Sequence, residues 1–399
     1  MSETVKAKSH LFLFQFLTPL FVIFVLALLA EIGLRLAGYN PLKPLHQGDG
    51  SHAYYLRQSD DSALRYELNP GFRGRLFQAG IGMRINALGM RGREIGPDKD
   101  GKFRIALLGD SITFAKDLEE REIFPVRLEN RLLETNPSVE VLNMGVEGYD
   151  TLEEVEHLKR AGLALKPDIV VVDFCLNDIG ITHADISYLN FYLRPRLPLW
   201  TRSRLAVWVA SKVRRVQLQQ RMQKELLTLD GFAEHEQGLY PQVPTDDFLE
   251  SQFRLIDESQ RLFDASGPEA HRRAVAEKSG SLWLNQYRSL HNLGKIRFSF
   301  GELKALAEKG RFKVLVAILP FFYRVDGRYI EGPAHAIIRR EAERAGFKAV
   351  DLYDTFAAEG LESMTTDSVH LNEKGHAVMA KALAEALRDW LPAAVPPGR

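Results

Sequence analysis

Apolar residues follow two different rhythms along this chain. From Leu11 to Ala30 they form one block, LFLFQFLTPLFVIFVLALLA, twenty residues without a formal charge. At about 1.5 Å per residue such a helix covers roughly 30 Å, the hydrocarbon thickness of a bilayer. Gln15, Thr18 and Pro19 interrupt the block, as membrane helices tolerate. From Phe103 onward the apolar residues come instead in short runs separated by amphipathic stretches, the pattern of a parallel sheet covered on both faces. Five runs read as strands: 104–109, 139–145, 168–177, 313–320 and 348–354. Helices are expected at 124–134, 151–163, 298–308, 333–345 and 373–390. Thr151 followed by Glu154 has the spacing of a capping box.

These elements predict an α/β fold, a three-layer α/β/α flavodoxin-like arrangement around a five-stranded parallel sheet. They also divide the chain. Residues 1–40 are expected to form an N-terminal transmembrane anchor, 41–102 an extension packed on the core, and 103–392 the main domain. The third and fourth strands lie about 135 residues apart, far more than one crossover needs, so 185–294 is expected to be a helical insertion. A cleaved signal peptide has a shorter apolar region, about 7 to 15 residues, followed by a small-x-small site. Leu28 fills the small position of a break after Ala30, so an uncleaved anchor is expected, a single-pass membrane protein with its bulk extracytoplasmic.

Charge adds one local feature. Lys plus Arg (52) balance Asp plus Glu (52), so no global charge steers the chain toward nucleic acid. Residues 191–224, however, hold nine Lys or Arg and no Asp or Glu, interleaved with Trp200 and Trp208. Such a segment suits a membrane surface, and equally a solvated helix face or lid. The single cysteine, Cys175, lies in an apolar run and reads as core; it leaves no room for an intramolecular disulfide. His157, His183, His235, His271, His291, His335 and His376 share no ligand spacing, so no metal and no organic cofactor is expected.

The first strand of the sheet runs into Gly109-Asp110-Ser111-Ile112, placing a serine hydroxyl at the carboxyl edge, where ligands sit in such sheets. Serine needs a base within hydrogen-bond reach and a third group that fixes the base's tautomer. Asp367 and His370, in the loop before the final helix, return to the same edge and offer both. The second strand ends at Asn143-Met144-Gly145 and the third at Asn177-Asp178. The Gly145 N–H, the Asn177 side-chain amide and the Ser111 N–H are candidate oxyanion donors. Asp110 and Asp178 adjoin the site and are expected to fix loops by hydrogen bonds.

Each motif alone is common by chance in a chain of this length. Together, Ser111, Gly145, Asn177 and His370 stand in the order and at the strand ends that define the SGNH (GDSL-like) hydrolase superfamily, which this chain resembles over roughly 103–184 and 295–392. The resemblance implies a serine nucleophile, an oxyanion hole from Ser111, Gly145 and Asn177, and an Asp367–His370 pair. Ile112 replaces the usual leucine, and Cys175 stands where glycine is common. RINALGMRGRE, Arg84 to Glu94, also resembles the upstream part of membrane-anchored, exported members.

The implied activity is serine-dependent hydrolysis of a short-chain acyl ester, such as O-acetyl groups of an envelope glycan or lipid. Transfer of the acyl group to an extracytoplasmic polysaccharide is the alternative, and a non-catalytic assembly protein retaining the fold is a third reading. An α/β-hydrolase would need Gly-x-Ser-x-Gly, and Thr113 occupies the second glycine position. A phosphate-binding flavodoxin-like module would not require Asp367 and His370.

Overall fold

The computed structural model describes residues 3–39, 55–59, 64, 66–76, 81–180, 199–210, 212–213, 243–266 and 281–392. Much of the expected insertion and of the basic segment, together with His183, His235 and His271, lies outside the described residues. The chain divides into two units: Met1–Leu45 with Ser187–Thr228, and His46–Ile186 with Leu229–Arg399.

In the first unit, α1 (Glu3–Leu36) is one continuous helix through Pro19. No residue of its stretch Leu17–Leu36 is buried, and the stretch has a mean hydropathy of 2.4. A helix apolar all round suits a lipid environment. Its length and composition fit a membrane span, and an N-terminal signal sequence passes the same test. Leu199–Arg202 forms a short 3₁₀ turn, and residues 204–210 are helical.

In the second unit, the extension forms two small antiparallel pairs. β1 (Leu56–Gln58) pairs with β2 (Tyr66–Leu68), and β3 (Arg73–Leu76) with β4 (Ile81–Arg84). The Arg84–Glu94 motif follows β4 as a turn that Asn86 organises. Its Oδ1 accepts the N–H groups of Leu88 and Met90, and its Nδ2 donates to the Arg93 carbonyl. Gly89 sits at φ +79°, where an L side chain is strained.

The five sheet strands are β5 (Phe103–Leu108), β6 (Val139–Asn143), β7 (Ile169–Cys175), β8 (Lys313–Leu319) and β9 (Lys348–Asp351). They pair in parallel in the order β6-β5-β7-β8-β9, and β5, β6 and β7 are almost wholly buried. The expected α/β/α architecture is therefore observed. On one face the helix Phe124–Leu133 packs against the final helix, Glu373–Leu387. On the other, helices Thr151–His157, Leu290–Gly310 and Gly332–Arg344 form the second layer. Because β6 and β7 flank β5 on opposite sides, the chain reverses direction at β5, and its carboxyl end becomes the crevice.

Two local expectations change. Asp150, not Thr151, caps the helix after β6: its Oδ1 accepts the Leu152 and Glu153 N–H groups, while Thr151 Oγ1 donates to Asp178. That helix passes into a π turn at Leu158–Gly162 and a 3₁₀ turn at Leu163–Leu165. The helix before β8 is longer than expected, Leu290–Gly310, because Ser289 caps it by accepting the Asn292 N–H.

Three buried cations in this unit are held by several acceptors each. Arg104, 1% exposed, donates to Glu140 and to the carbonyls of Gly96, Asp98 and Leu165. Lys295 donates to Asp150 and to the Gly180 carbonyl. Arg91, 2% exposed, donates to the carbonyls of Phe114, Ala115 and Leu118, immediately after Ser111. The upstream motif thus grips the turn that carries the serine. Arg91→Met would leave those carbonyls without their donor, at a cost of about 2 kcal/mol or more. Thermal unfolding of the full chain in detergent should shift clearly downward; an unchanged midpoint would contradict the clamp.

Candidate active site

The serine is presented by a turn that few sequences could adopt. Gly109 ends β5 against Thr113, and a Cβ there would lie 2.0 Å from Thr113 Oγ1. Asp110 then caps a four-residue helix, α2 (Ser111–Phe114), its Oδ1 accepting the Ile112 N–H at 2.8 Å. Ala115 closes the helix in the left-handed region at φ +54°. Thr113 Oγ1 donates to Asp173 Oδ2 at 2.7 Å, tying α2 to β7. Ser111 is left at the first position of α2, partly exposed at the crevice.

The loop bearing His370 is fixed by its own backbone. A bridge pairs Thr365 with Leu371, and the His370 carbonyl accepts from Thr365 Oγ1 at 2.8 Å and the Thr366 N–H at 3.0 Å. The Ser368 carbonyl accepts the Phe322 N–H, which joins the loop to the end of β8. Asn372 caps the final helix through the Gly375 N–H.

These two loops bring Ser111, His370 and Asp367 together. Ser111 Oγ lies 2.9 Å from His370 Nε2, and His370 Nδ1 lies 2.6 Å from Asp367 Oδ2. Asp367 Oδ1 also accepts the backbone N–H groups of His370 and Val369, so both its oxygens are held. With a proton on Nδ1 donated to Asp367, Nε2 is free to accept the Ser111 hydroxyl proton. Burial pulls the His370 pKa down, but the Asp367 hydrogen bond and charge outweigh it, and the imidazole ends above 6.5. Burial conversely pushes Asp367 up, and its bonds to His370 bring it below the ordinary carboxylate value.

The candidate oxyanion donors, Asn177 and Gly145, stand in different hydrogen-bonding surroundings. Asn177, in the turn after β7, donates one amide hydrogen to Asp110 Oδ2 at 3.2 Å. Gly145, however, donates its N–H to Asn143 Oδ1 at 3.0 Å, so that hydrogen is already used. Its lack of a side chain serves packing instead: a Cβ would lie 2.5 Å from the Phe114 nitrogen, within α2. Three residues on, Gly148 sits partly exposed at φ +78°, and among the described residues its N–H meets no acceptor. Sequence reading passed over it because it lies in the turn beyond the strand end.

Two further residues near the site were not singled out in the sequence. Lys116 pairs with Glu147, which also accepts the Tyr55 hydroxyl at 2.8 Å. The Lys116 charge acts on His370, opposing its protonation. Neither residue stands in a spacing that would have marked it. Below the serine, burial raises the carboxyls of Asp110, Glu154 and Asp178, and Asp173 to about 7. His376 is buried and held neutral, its pKa pushed down to about 3 by burial, and its Nδ1 accepts the Phe124 N–H. Cys175 is buried and its thiol pKa is raised by burial.

No family model matches this chain, and neither does any curated protein. Among solved structures, an acetyl xylan esterase is similar at 14% identity, with 71% of this chain and 100% of that one covered and a TM-score of 0.37. A lipase/acylhydrolase from Enterococcus faecalis is similar at 13% identity, covering 73% of this chain and 99% of that one, TM-score 0.39. An acetylxylan esterase from Geobacillus stearothermophilus gives 13% identity, 72% and 95% coverage, and a TM-score of 0.38. At these scores the likeness decides nothing about this chain's chemistry.

The electrostatics predict a specific titration. The His370 imidazole, followed by NMR in histidine-labelled protein, should titrate above 6.5, and Asp367→Asn should lower it. Titration below the ordinary imidazole value in the unsubstituted protein would contradict the pairing.

Proposed function

We propose that this protein is a serine-dependent carboxylic ester hydrolase of the SGNH type, acting on short-chain acyl esters such as O-acetyl groups of an envelope glycan or lipid. The observation that carries the reading is the hydrogen-bonded chain from Ser111 Oγ through His370 to Asp367, at 2.9 and 2.6 Å. A hydroxyl, an imidazole and a carboxylate in that order supply a nucleophile, its base and the base's orienting group.

In the proposed reaction His370 Nε2 takes the Ser111 proton as Oγ attacks the acyl carbonyl carbon. The Ser111 N–H, the second Asn177 amide hydrogen and the Gly148 N–H stabilise the tetrahedral oxyanion. His370 then passes the proton to the departing alkoxide, leaving an acyl-serine. Water, deprotonated by His370, attacks that ester; as the intermediate collapses His370 returns the proton to Ser111 Oγ and the acid is released. A sugar hydroxyl in place of water would make the same enzyme an acyltransferase. Asp367 transfers no proton: it holds Nδ1 and stabilises the imidazolium. No step calls on a metal or organic cofactor. In this reading α1 stays in the membrane through residues 11–30 and the hydrolase unit is extracytoplasmic.

The test is hydrolysis of 4-nitrophenyl acetate, butyrate and octanoate by the full chain in detergent, with acetylated oligosaccharide and a free acceptor sugar in parallel. Release should fall with acyl length. Ser111→Ala should lose about 10³-fold or more of kcat, and Asn177→Ala about 10²-fold. The acid limb of kcat/KM should fall with an apparent pKa above 6.5, since only neutral His370 accepts the serine proton. Turnover unchanged in Ser111→Ala would overturn the reading, and acyl transfer to the sugar would replace hydrolysis by transfer.

A further inference from the structure

The strongest unexplained feature lies in the first unit, where the membrane-length helix and the basic segment meet. Glu31 is the first charged residue after the apolar block 11–30. Its Oε1 accepts the Arg204 N–H at 3.1 Å, and its Oε2 accepts the Leu205 N–H at 2.8 Å and the Ser203 hydroxyl at 3.0 Å. Those two N–H groups open the helix at 204–210 and have no partner within it, so a carboxylate from α1 serves as that helix's terminal acceptor. Arg35, one turn beyond Glu31, pairs with it and donates to the Arg202 carbonyl; Arg204 reaches back to the Tyr39 carbonyl. Four side chains thus fasten residues 202–205 to the end of the apolar block, at the depth where a spanning helix leaves the hydrocarbon.

What the fastened helix presents is a surface that mixes apolar and basic side chains. Trp208, Val209, Lys212 and Val213, at positions i, i+1, i+4 and i+5, are all exposed, as is Trp200 in the preceding turn. The Lys212 ammonium lies over the Trp208 ring. Val207, on another side, is buried. A tryptophan with two valines on one face, edged by Arg202, Arg204 and Lys212, combines an apolar body with cations. Tryptophan and arginine or lysine favour the headgroup level, and the surrounding segment 191–224 contains no acid to neutralise it.

We propose that residues 199–210, 212 and 213 lie on the membrane surface beside the point where α1 emerges, with Trp208, Val209 and Val213 in the interface and the basic side chains on anionic lipid headgroups. Charge complementarity and the Glu31 fastening select that occupant. The segment is a second membrane contact that fixes the orientation of the anchor's end.

The tryptophans make this measurable, because all four in the chain lie outside α1 and the span itself is silent. The full chain is reconstituted in phosphatidylcholine vesicles with and without phosphatidylglycerol, with lipids brominated near the headgroup as quencher, and flotation registers α1 separately. Tryptophan emission should be quenched, more strongly with phosphatidylglycerol. Trp208→Phe should remove most of that quenching while the protein still floats, and Glu31→Ala should reduce it. Floating protein whose emission the brominated lipid does not quench would overturn the proposal. So would quenching that survives in the Trp200→Phe/Trp208→Phe double variant, or quenching indifferent to lipid charge. Protein that does not float would remove its premise and leave the esterase reading to its own assay.

Discussion

The carboxylate of Asp110 joins the turn that carries Ser111 to the side chain of Asn177. One oxygen caps the four-residue helix that begins at Ser111, and the other holds the amide of Asn177. The residue is 1% exposed, so burial would favour its neutral form, and the two N–H donors are what retain it as an acceptor. Neither β5 nor β7 could fix its terminal residue alone, since each strand simply ends at the crevice. Asp110 converts two adjacent strand ends into one rigid edge, and the loop bearing His370 closes against it.

Around that edge, close approach replaces side chains. Gly109 and Gly145 both lie against Thr113, and a Cβ on either would overlap α2. Arg91 completes the enclosure from the upstream extension by donating to the carbonyls that follow the helix. The turn that carries Ser111 is therefore held from the sheet, from the β6 loop and from a segment outside the sheet altogether. Such restraint suits a serine that must meet His370 at 2.9 Å without rearrangement.

Much of this was legible in the sequence because it depends on strand ends. Alternating apolar runs located all five strands to within a few residues, and strand ends then placed Ser111, Asn177 and the Asp367–His370 loop on one edge. What was not legible depends on where single hydrogens point. Gly145 and Gly148 look alike in sequence. Only the fold reveals that the first N–H is taken by Asn143, and that the second meets no acceptor among the described residues. Thr151 likewise looked like a cap because of Glu154, but Asp150 reaches the free N–H groups first. The role of Arg91 was invisible because its acceptors are backbone carbonyls, which carry no sequence signature.

The central claim is that Ser111 is made nucleophilic by His370. It is tested most directly by exposing the full chain to a fluorophosphonate and locating the adduct by peptide mass spectrometry. A single phosphonyl group on the peptide containing Ser111, formed orders of magnitude more slowly in His370→Ala, is the predicted result. Labelling that spares Ser111, or that proceeds at the same rate without His370, would contradict it.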